Sequence, residues 1–212
     1  FPWERSSEVM HAWNAWTTSV PDEVTSVGRI LQFPPIPEIP EPLRGRQFAV
    51  IEAVVLGDEA LGTELLAPLR ALGPTLDTFA MVPPVGIAEL HMDPPTPLPY
   101  VGDGQLLGSL PDAAIDAFVT AAGPTSGSPL VSAEIRHLGG ALTRSAPDHG
   151  VLDTLDASFM TFGVGIVADE AGHRANRSQL GVIAAALAPY DNGRQYLNFT
   201  EAETDPARFY TA

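Results

Sequence analysis

The chain has 212 residues and a net charge of −15, with 26 acidic side chains against 11 cations, all of them Arg; it contains no Cys and no Lys. Those absences exclude a disulfide framework, a Cys-ligated zinc site, a thiol nucleophile, a lysine Schiff base and a P-loop lysine. The charge argues against a general nucleic-acid binder, which must neutralise phosphates. No apolar window is long enough to span a membrane and no signal-peptide pattern opens the chain, so a cytoplasmic location is expected. The chain starts at Phe1 without an initiator Met, so a piece of a longer protein is expected. The lack of Lys beside abundant Ala, Gly, Pro and Arg fits codon bias in a high-GC bacterial genome.

The first segment, Glu4 to about Ser19, reads as an amphipathic helix, with Val9, Trp13, Trp16 and Val20 on one face. Two Trp on that face demand a large partner surface. A strand is expected from Val24 to Phe33. The run from Pro34 to Pro42 is an extended crossing, because proline fixes φ and removes donors. Arg46 to Leu56 reads as a second strand, apolar on both faces apart from Glu52 and therefore expected to lie centrally. Asp58 caps a helix carrying Leu61, Leu65, Leu66, Leu69 and Leu72, which Pro68 should kink or end.

Thr75 to Val82 alternates like a third strand. A short helix is expected over Val85 to Met92. Asp93 to Gly108, rich in Pro and Gly, reads as an irregular loop. Ser109 to Asp112 resembles a capping-box helix start, with Ile115, Phe118, Val119 and Ala122 on the buried face. Leu130 to Leu138 is a strand with Ser132, Glu134 and Arg136 on one side and Val131, Ala133, Ile135 and His137 on the other. A long strand is expected over Ala157 to Val167, a helix over Gly172 to Ala188 and a last short strand over Tyr196 to Phe199. The order suggests an α+β fold. It would hold one antiparallel β-sheet with helices packed mainly on one face, in ferredoxin-like duplicated units.

No catalytic set stands out from residue types. His11, His91, His137, His149 and His173 are scattered without metal-ligand spacing, so no metal site is expected. The letters GxGxxA fit Gly163 to Ala168, but they fall inside a strand and run into Asp169-Glu170, where a phosphate would be repelled; a dinucleotide site is rejected there. Glycines in that strand mark close approach by another group or a bulge. There is no GxSxG elbow. Glu134 and Arg136, two apart on one strand, either pair structurally or form a polar patch over a ligand.

An ordered series of short segments resembles the C-terminal half of FAD-linked oxidases of the berberine-bridge-enzyme-like group, in the vanillyl-alcohol-oxidase superfamily. The series is Trp3-Glu4-Arg5, Ala12-Trp13 through Thr17, Pro21-Asp22-Glu23 with Thr25-Ser26, Pro40-Glu41 and Leu43 to Arg46. It continues through Pro68 to Pro74 with Asp77-Thr78, Asp93-Pro94, Glu134-Ile135-Arg136, Leu138 to Ala141 and Tyr196 to Phe199. It covers nearly the whole chain. The resemblance implies that residues 1–212 are one substrate-binding domain. Its sheet's open face would cover the flavin of FAD, held mainly by an N-terminal FAD-binding domain of the same protein that lies outside this chain.

The family's Tyr-x-Asn falls on Tyr196 and Asn198, implying contact with the flavin ring. Substrate contact is expected from the strand-face residues Glu134, Arg136, Thr161 and Glu52. The catalytic base is not carried over. The family's His-Arg pair falls on Thr154 and Leu155, and the catalytic Glu of some plant members falls on Arg144.

The function implied is oxidation of a small alcohol, sugar or related molecule by hydride transfer to flavin, with the chain inactive alone. The alternative is a cofactor-free, ferredoxin-like module that dimerises or holds a small ligand. In both cases the open face is expected to be apolar and a homodimer is possible.

Overall fold

The structure is a computed structural model and describes residues 1–37, 39–94 and 96–210. A short 3-10 turn, Trp3–Arg5, leads into helix α1 (Ser6–Thr17), followed by strands β1 (Val24–Gln32) and β2 (Gln47–Val55) and helix α2 (Glu59–Ala71). Strand β3 (Tyr100–Leu107), helix α3 (Asp112–Ala122), strands β4 (Ser132–His137) and β5 (Phe159–Ile166) and helix α4 (Glu170–Leu187) complete the regular elements. The five strands form one sheet in the order β2-β1-β4-β5-β3, and every pairing is antiparallel. This is an α+β fold with one face of the sheet covered by helices.

Side-chain alternation decides which face that is. Ser26, Gly28 and Ile30 of β1 point to the helices. Trp13 Nε1 of α1 donates to Ser26 Oγ at 3.2 Å. A Cβ on Gly28 would lie 2.9 Å from both Met10 and Trp13, so the strand needs glycine there for α1 to pack so closely. Val9, Met10, Trp13 and Trp16 are buried, as the helical spacing predicts. At the other end of the sheet α4 packs on β3 and β5. Gly163 faces Leu180 and Gly165 faces Asn176, whose Nδ2 donates to Ile166 O at 2.9 Å. The GxGxxA letters thus mark a strand closely approached by a helix. Helix α3 lies between α1 and α4, with Ile115 and Phe118 in the single large core.

Several expectations are corrected. Strand β2 is an edge strand, because β1 gives its other edge to β4 and the outer edge of β2 carries just a short bridge from Phe1 and Pro2 to Ala49 and Phe48 among the described residues. Helix α2 runs through Pro68. Pro68 is exposed and sits in the last turn, so the carbonyl of Glu64 loses its helical partner at an exposed position. Thr75 to Val82 forms no strand. Asp77 accepts from the backbone N–H of Phe79 at 3.0 Å and from Arg70 Nε at 2.8 Å, which closes a local turn.

The strand paired with β5 comes from the stretch read as a loop. Its Gly102 and Gly104 look like loop markers, yet a Cβ at Gly102 would meet the Phe162 ring at 2.7 Å and one at Gly104 the Thr161 carbonyl at 2.3 Å. The start of α3 has Pro111 at the cap position and no side-chain cap, so the capping box is not made. The segment expected as a helix over Val85 to Met92 is a 3-10 helix, Pro84–Glu89. Tyr196 to Phe199 is likewise not a strand; Leu197–Phe199 is a 3-10 turn.

Candidate functional site on the open face of the sheet

The face of the sheet away from the helices carries Val27, Arg29 and Leu31 of β1, and by register Val50, Glu52 and Val54 of β2, Ser132, Glu134 and Arg136 of β4, and Met160, Phe162 and Val164 of β5. Four charged side chains thus meet on three adjacent strands, and His91 joins them from the segment after the 3-10 helix.

The cluster is tightly connected. Arg29 Nη1 pairs with Glu52 Oε1, and Arg29 Nε lies 3.4 Å from Glu134 Oε2. Arg29 also donates to Ser132 Oγ at 3.3 Å and, through Nη1, to the backbone carbonyl of His91 at 3.0 Å. His91 lies between two carboxylates, with Nδ1 2.8 Å from Glu52 Oε2 and Nε2 3.1 Å from Glu134 Oε2. Arg136 Nε donates to Glu134 Oε1 at 2.6 Å. Arg29 is 5% exposed and Glu134 only 1%. Charges this deep persist only when paired and hydrogen-bonded.

The electrostatics follow from that geometry. Hydrogen bonds to Glu134 and Glu52 raise the His91 pKa from 6.5 to about 9, against the effect of burial and of the Arg29 charge. Burial alone would raise the Glu134 carboxyl, but the His91 hydrogen bond and the charges of Arg136 and Arg29 outweigh it and hold it below the usual range. Glu52 is held down in the same way, with burial opposed by His91 and Arg29. At neutral pH the cluster is therefore three cations around two carboxylates.

Beside it the open face turns apolar. Leu106, Leu155, Ala157 and Met160 form a second, smaller core, against which Leu138, Leu152, Tyr196 and Phe199 pack. The Phe199 ring stands edge-on to Phe162 at 5.2 Å and lies 5.5 Å from Tyr196. The Arg136 guanidinium lies over Phe199, 4.8 Å from its centroid. The expectation of an apolar open face is thus corrected: half of it is a buried ion network. Many of the exposed large apolar side chains fall instead in the segment between α2 and β3, among them Leu76, Met81, Val85 and Ile87.

Of the residues expected to contact substrate, Glu52, Glu134 and Arg136 come together in this cluster. Thr161 does not: it pairs with Ile135 and Gln105 and points to the helix side, where it lines a cavity of about 160 Å³ with Gln105 and Asp103. A register error of one residue reverses a side chain's face. Tyr196 is half-buried and Asn198 is exposed. In a 3-10 turn two residues apart do not share a side as they would on a strand. Arg144, at the family's Glu position, pairs with Asp22 at the surface, and Leu155 is buried.

Arg29 and His91 were not singled out from sequence as site residues. The signal for Arg29 is that it is the one charge in its strand; His91 joins the sheet across a long loop and leaves no local pattern. Among the described residues, no group of three His, Asp or Glu side chains is arranged to hold a metal ion, and no helix is long and apolar enough to cross a membrane.

No family model matches the chain, and no curated protein does. Solved structures do. A variant of BBE-like 1 from Physcomitrella patens superposes with a TM-score of 0.74 at 15% identity, over 99% of this chain and 46% of that one. Berberine bridge enzyme in complex with (S)-reticuline gives 0.64 at 10% identity, over 94% and 41%. Chitooligosaccharide oxidase gives 0.63 at 13% identity, over 89% and 41%. The chain spans a little under half the length of these neighbours. It therefore has the fold of that share of berberine bridge enzyme and the BBE-like enzymes.

Proposed function

We propose that residues 1–212 are the substrate-binding domain of an FAD-dependent oxidoreductase, and that the open face of the sheet lines its substrate site. The observation that carries this is the open face itself. A bare structural sheet face has no use for two carboxylates, Glu134 buried and Glu52 partly so, held by Arg29, Arg136 and His91 beside an aromatic corner. The fold shared with BBE-like enzymes over nearly the whole chain supports the same conclusion.

The residues present fit one part of a flavin and not the rest. Tyr196, Phe199 and Phe162 offer aromatic surface to a flat ring, and the exposed amide of Asn198 can hydrogen-bond a ring heteroatom. The chain has no Lys, and among the described residues it offers no glycine-rich turn at a helix N-terminus for a diphosphate. The diphosphate would be held by another domain of the same protein, and this chain alone is expected to be inactive. Bound flavin would supply the hydride acceptor. The chain's own residues would orient a small alcohol, sugar or related molecule and exclude water. Glu134 is too firmly held as a carboxylate among three cations to serve as a proton donor, so its role is to fix Arg136 and His91 in place.

The test is to read the coding sequence upstream of Phe1, express the full-length product and record its visible absorption. A preceding flavin domain and a yellow protein support the proposal. A start codon at or near Phe1, with a colourless product that folds and binds no flavin, overturns it.

A further inference from the structure

The charges of the open-face cluster do not cancel. Arg29, His91 and Arg136 supply three positive charges, Glu52 and Glu134 two negative ones. His91 counts as a cation on geometry alone. Carboxylate oxygens, which accept only, lie nearer to its two nitrogens, at 2.8 and 3.1 Å, than the Arg29 and Arg136 nitrogens do, at 3.4 and 3.2 Å, so both ring nitrogens carry protons. Among the described residues no further Asp or Glu pairs with any of the three cations.

The surplus has a location. Arg29 is buried, with Nε, Nη1 and Nη2 all donating. His91 is held at both nitrogens. Arg136 is only partly satisfied. Its Nε donates to Glu134 and its Nη2 lies 3.2 Å from His91 Nε2, while Nη1 has no partner among the described residues. Glu134 lies against both groups, but its single charge is shared with Arg29 as well, so the repulsion between Arg136 and His91 is only partly offset. The guanidinium is also held in orientation, by Glu134 on one edge and by the Phe199 ring against its plane. What remains open is the Nη1/Nη2 edge of a half-buried arginine, the planar fork that matches a carboxylate.

We infer that the substrate of this site carries a carboxylate or a comparable monoanionic group, and that the free Nη1/Nη2 edge of Arg136 binds it. The inference rests on the substrate-site assignment above and narrows it from small organic molecules in general to acidic ones. One bound monoanion makes the cluster neutral and relieves the contact between Arg136 and His91. The chain's overall charge of −15 does not prevent this, because distant exposed charges are screened over about 8 Å at physiological ionic strength while the cluster is in direct contact. A neutral isostere would leave the Arg136 fork half-desolvated without a partner.

The experiment uses the full-length protein at constant ionic strength and compares acetate and benzoate with acetamide and benzamide, reading the flavin absorption spectrum during each titration. The expected result is that at least one acid binds about tenfold or more tightly than its amide. R136Q should abolish that preference with flavin content retained, and R136K should keep part of it. Equal binding of acid and amide, no binding of either acid, or a preference that survives R136Q overturns the inference. An acidic side chain elsewhere in the protein that already fills the fork would give the second of these. If the full-length protein holds no flavin, the substrate-site assignment has failed instead. The same acid-against-amide comparison is then read by calorimetry, with the same outcomes deciding.

Discussion

Nε2 of His91 lies 3.1 Å from Oε2 of Glu134, a carboxylate almost wholly removed from water on the middle strand of the sheet. One imidazolium thereby pins the segment after α2 to the open face, with Glu52 holding its other nitrogen.

That pin titrates. The His91 pKa is raised from 6.5 to about 9, so its contribution to stability is complete below 6.5 and is lost as pH rises through about 9. Glu52 and Glu134 are held below 4.5, so their contribution is complete above 4.5 and is lost as pH falls below it. Thermal melting should therefore show a plateau between these limits and an alkaline decline from about pH 6.5 to 9. His91→Gln should remove most of that alkaline slope. Parallel pH profiles for the two proteins would contradict the assignment.

Removing the carboxylate should cost far more than an exposed ion pair would. Glu134→Ala leaves Arg29, His91 and Arg136 facing one another with Glu52 alone, and breaking a buried network in this way typically costs about 3–5 kcal/mol. Urea denaturation measures it. A loss below about 1 kcal/mol, the range of surface pairs, would mean that the cluster is hydrated.

Gly165→Ala tests the contact between β5 and α4. The added Cβ would fall 2.1 Å from Asn176 Cγ, and moving Asn176 breaks its bond to Ile166 O. Overpacking of this kind costs about 1–3 kcal/mol, and the lost hydrogen bond adds to it. An unchanged urea midpoint would show that the helix sits further from the strand.

Pro68→Ala should act in the opposite direction. Pro68 lies inside α2, exposed, and denies Glu64 its helical hydrogen bond. Alanine restores the bond and is the better helix former, so a gain of about 1 kcal/mol or more is expected in the same measurement. A loss of stability would mean that the helix ends before Pro68, as the sequence pattern by itself suggests.

Much of the fold was legible because its signals are local. Val9, Trp13 and Trp16 repeat at helical spacing, and Glu134 and Arg136 alternate against Ala133 and Ile135; the structure keeps both patterns. Strand β3 was hidden because Gly102 and Gly104, which look like loop residues, are required by the Phe162 ring and the Thr161 backbone on the neighbouring strand. Thr75 to Val82 misled in the opposite way: it alternates, but Asp77 ties it into a local turn with Arg70 and Phe79 and it joins no strand. In the site, Glu52 was recognisable as a lone charge in an apolar strand and Glu134 by its place two residues from Arg136 on one strand. Their meeting through Arg29 and His91 depends on strand order and on a loop crossing, which no short window of sequence contains.

The central claim is that the face bearing Arg136 and Glu134, rather than the helix-covered side, meets flavin and substrate. The chain has no Cys, so a single one can be placed on either side without background from these residues. Thiol modification rates would be compared in the full-length protein for Val164→Cys, on the open face, and Val182→Cys, on the outer surface of α4. The prediction is slow modification at 164, slowed further by a bound acid such as benzoate, with fast, ligand-independent modification at 182. Fast modification at 164 that no ligand alters would contradict the claim.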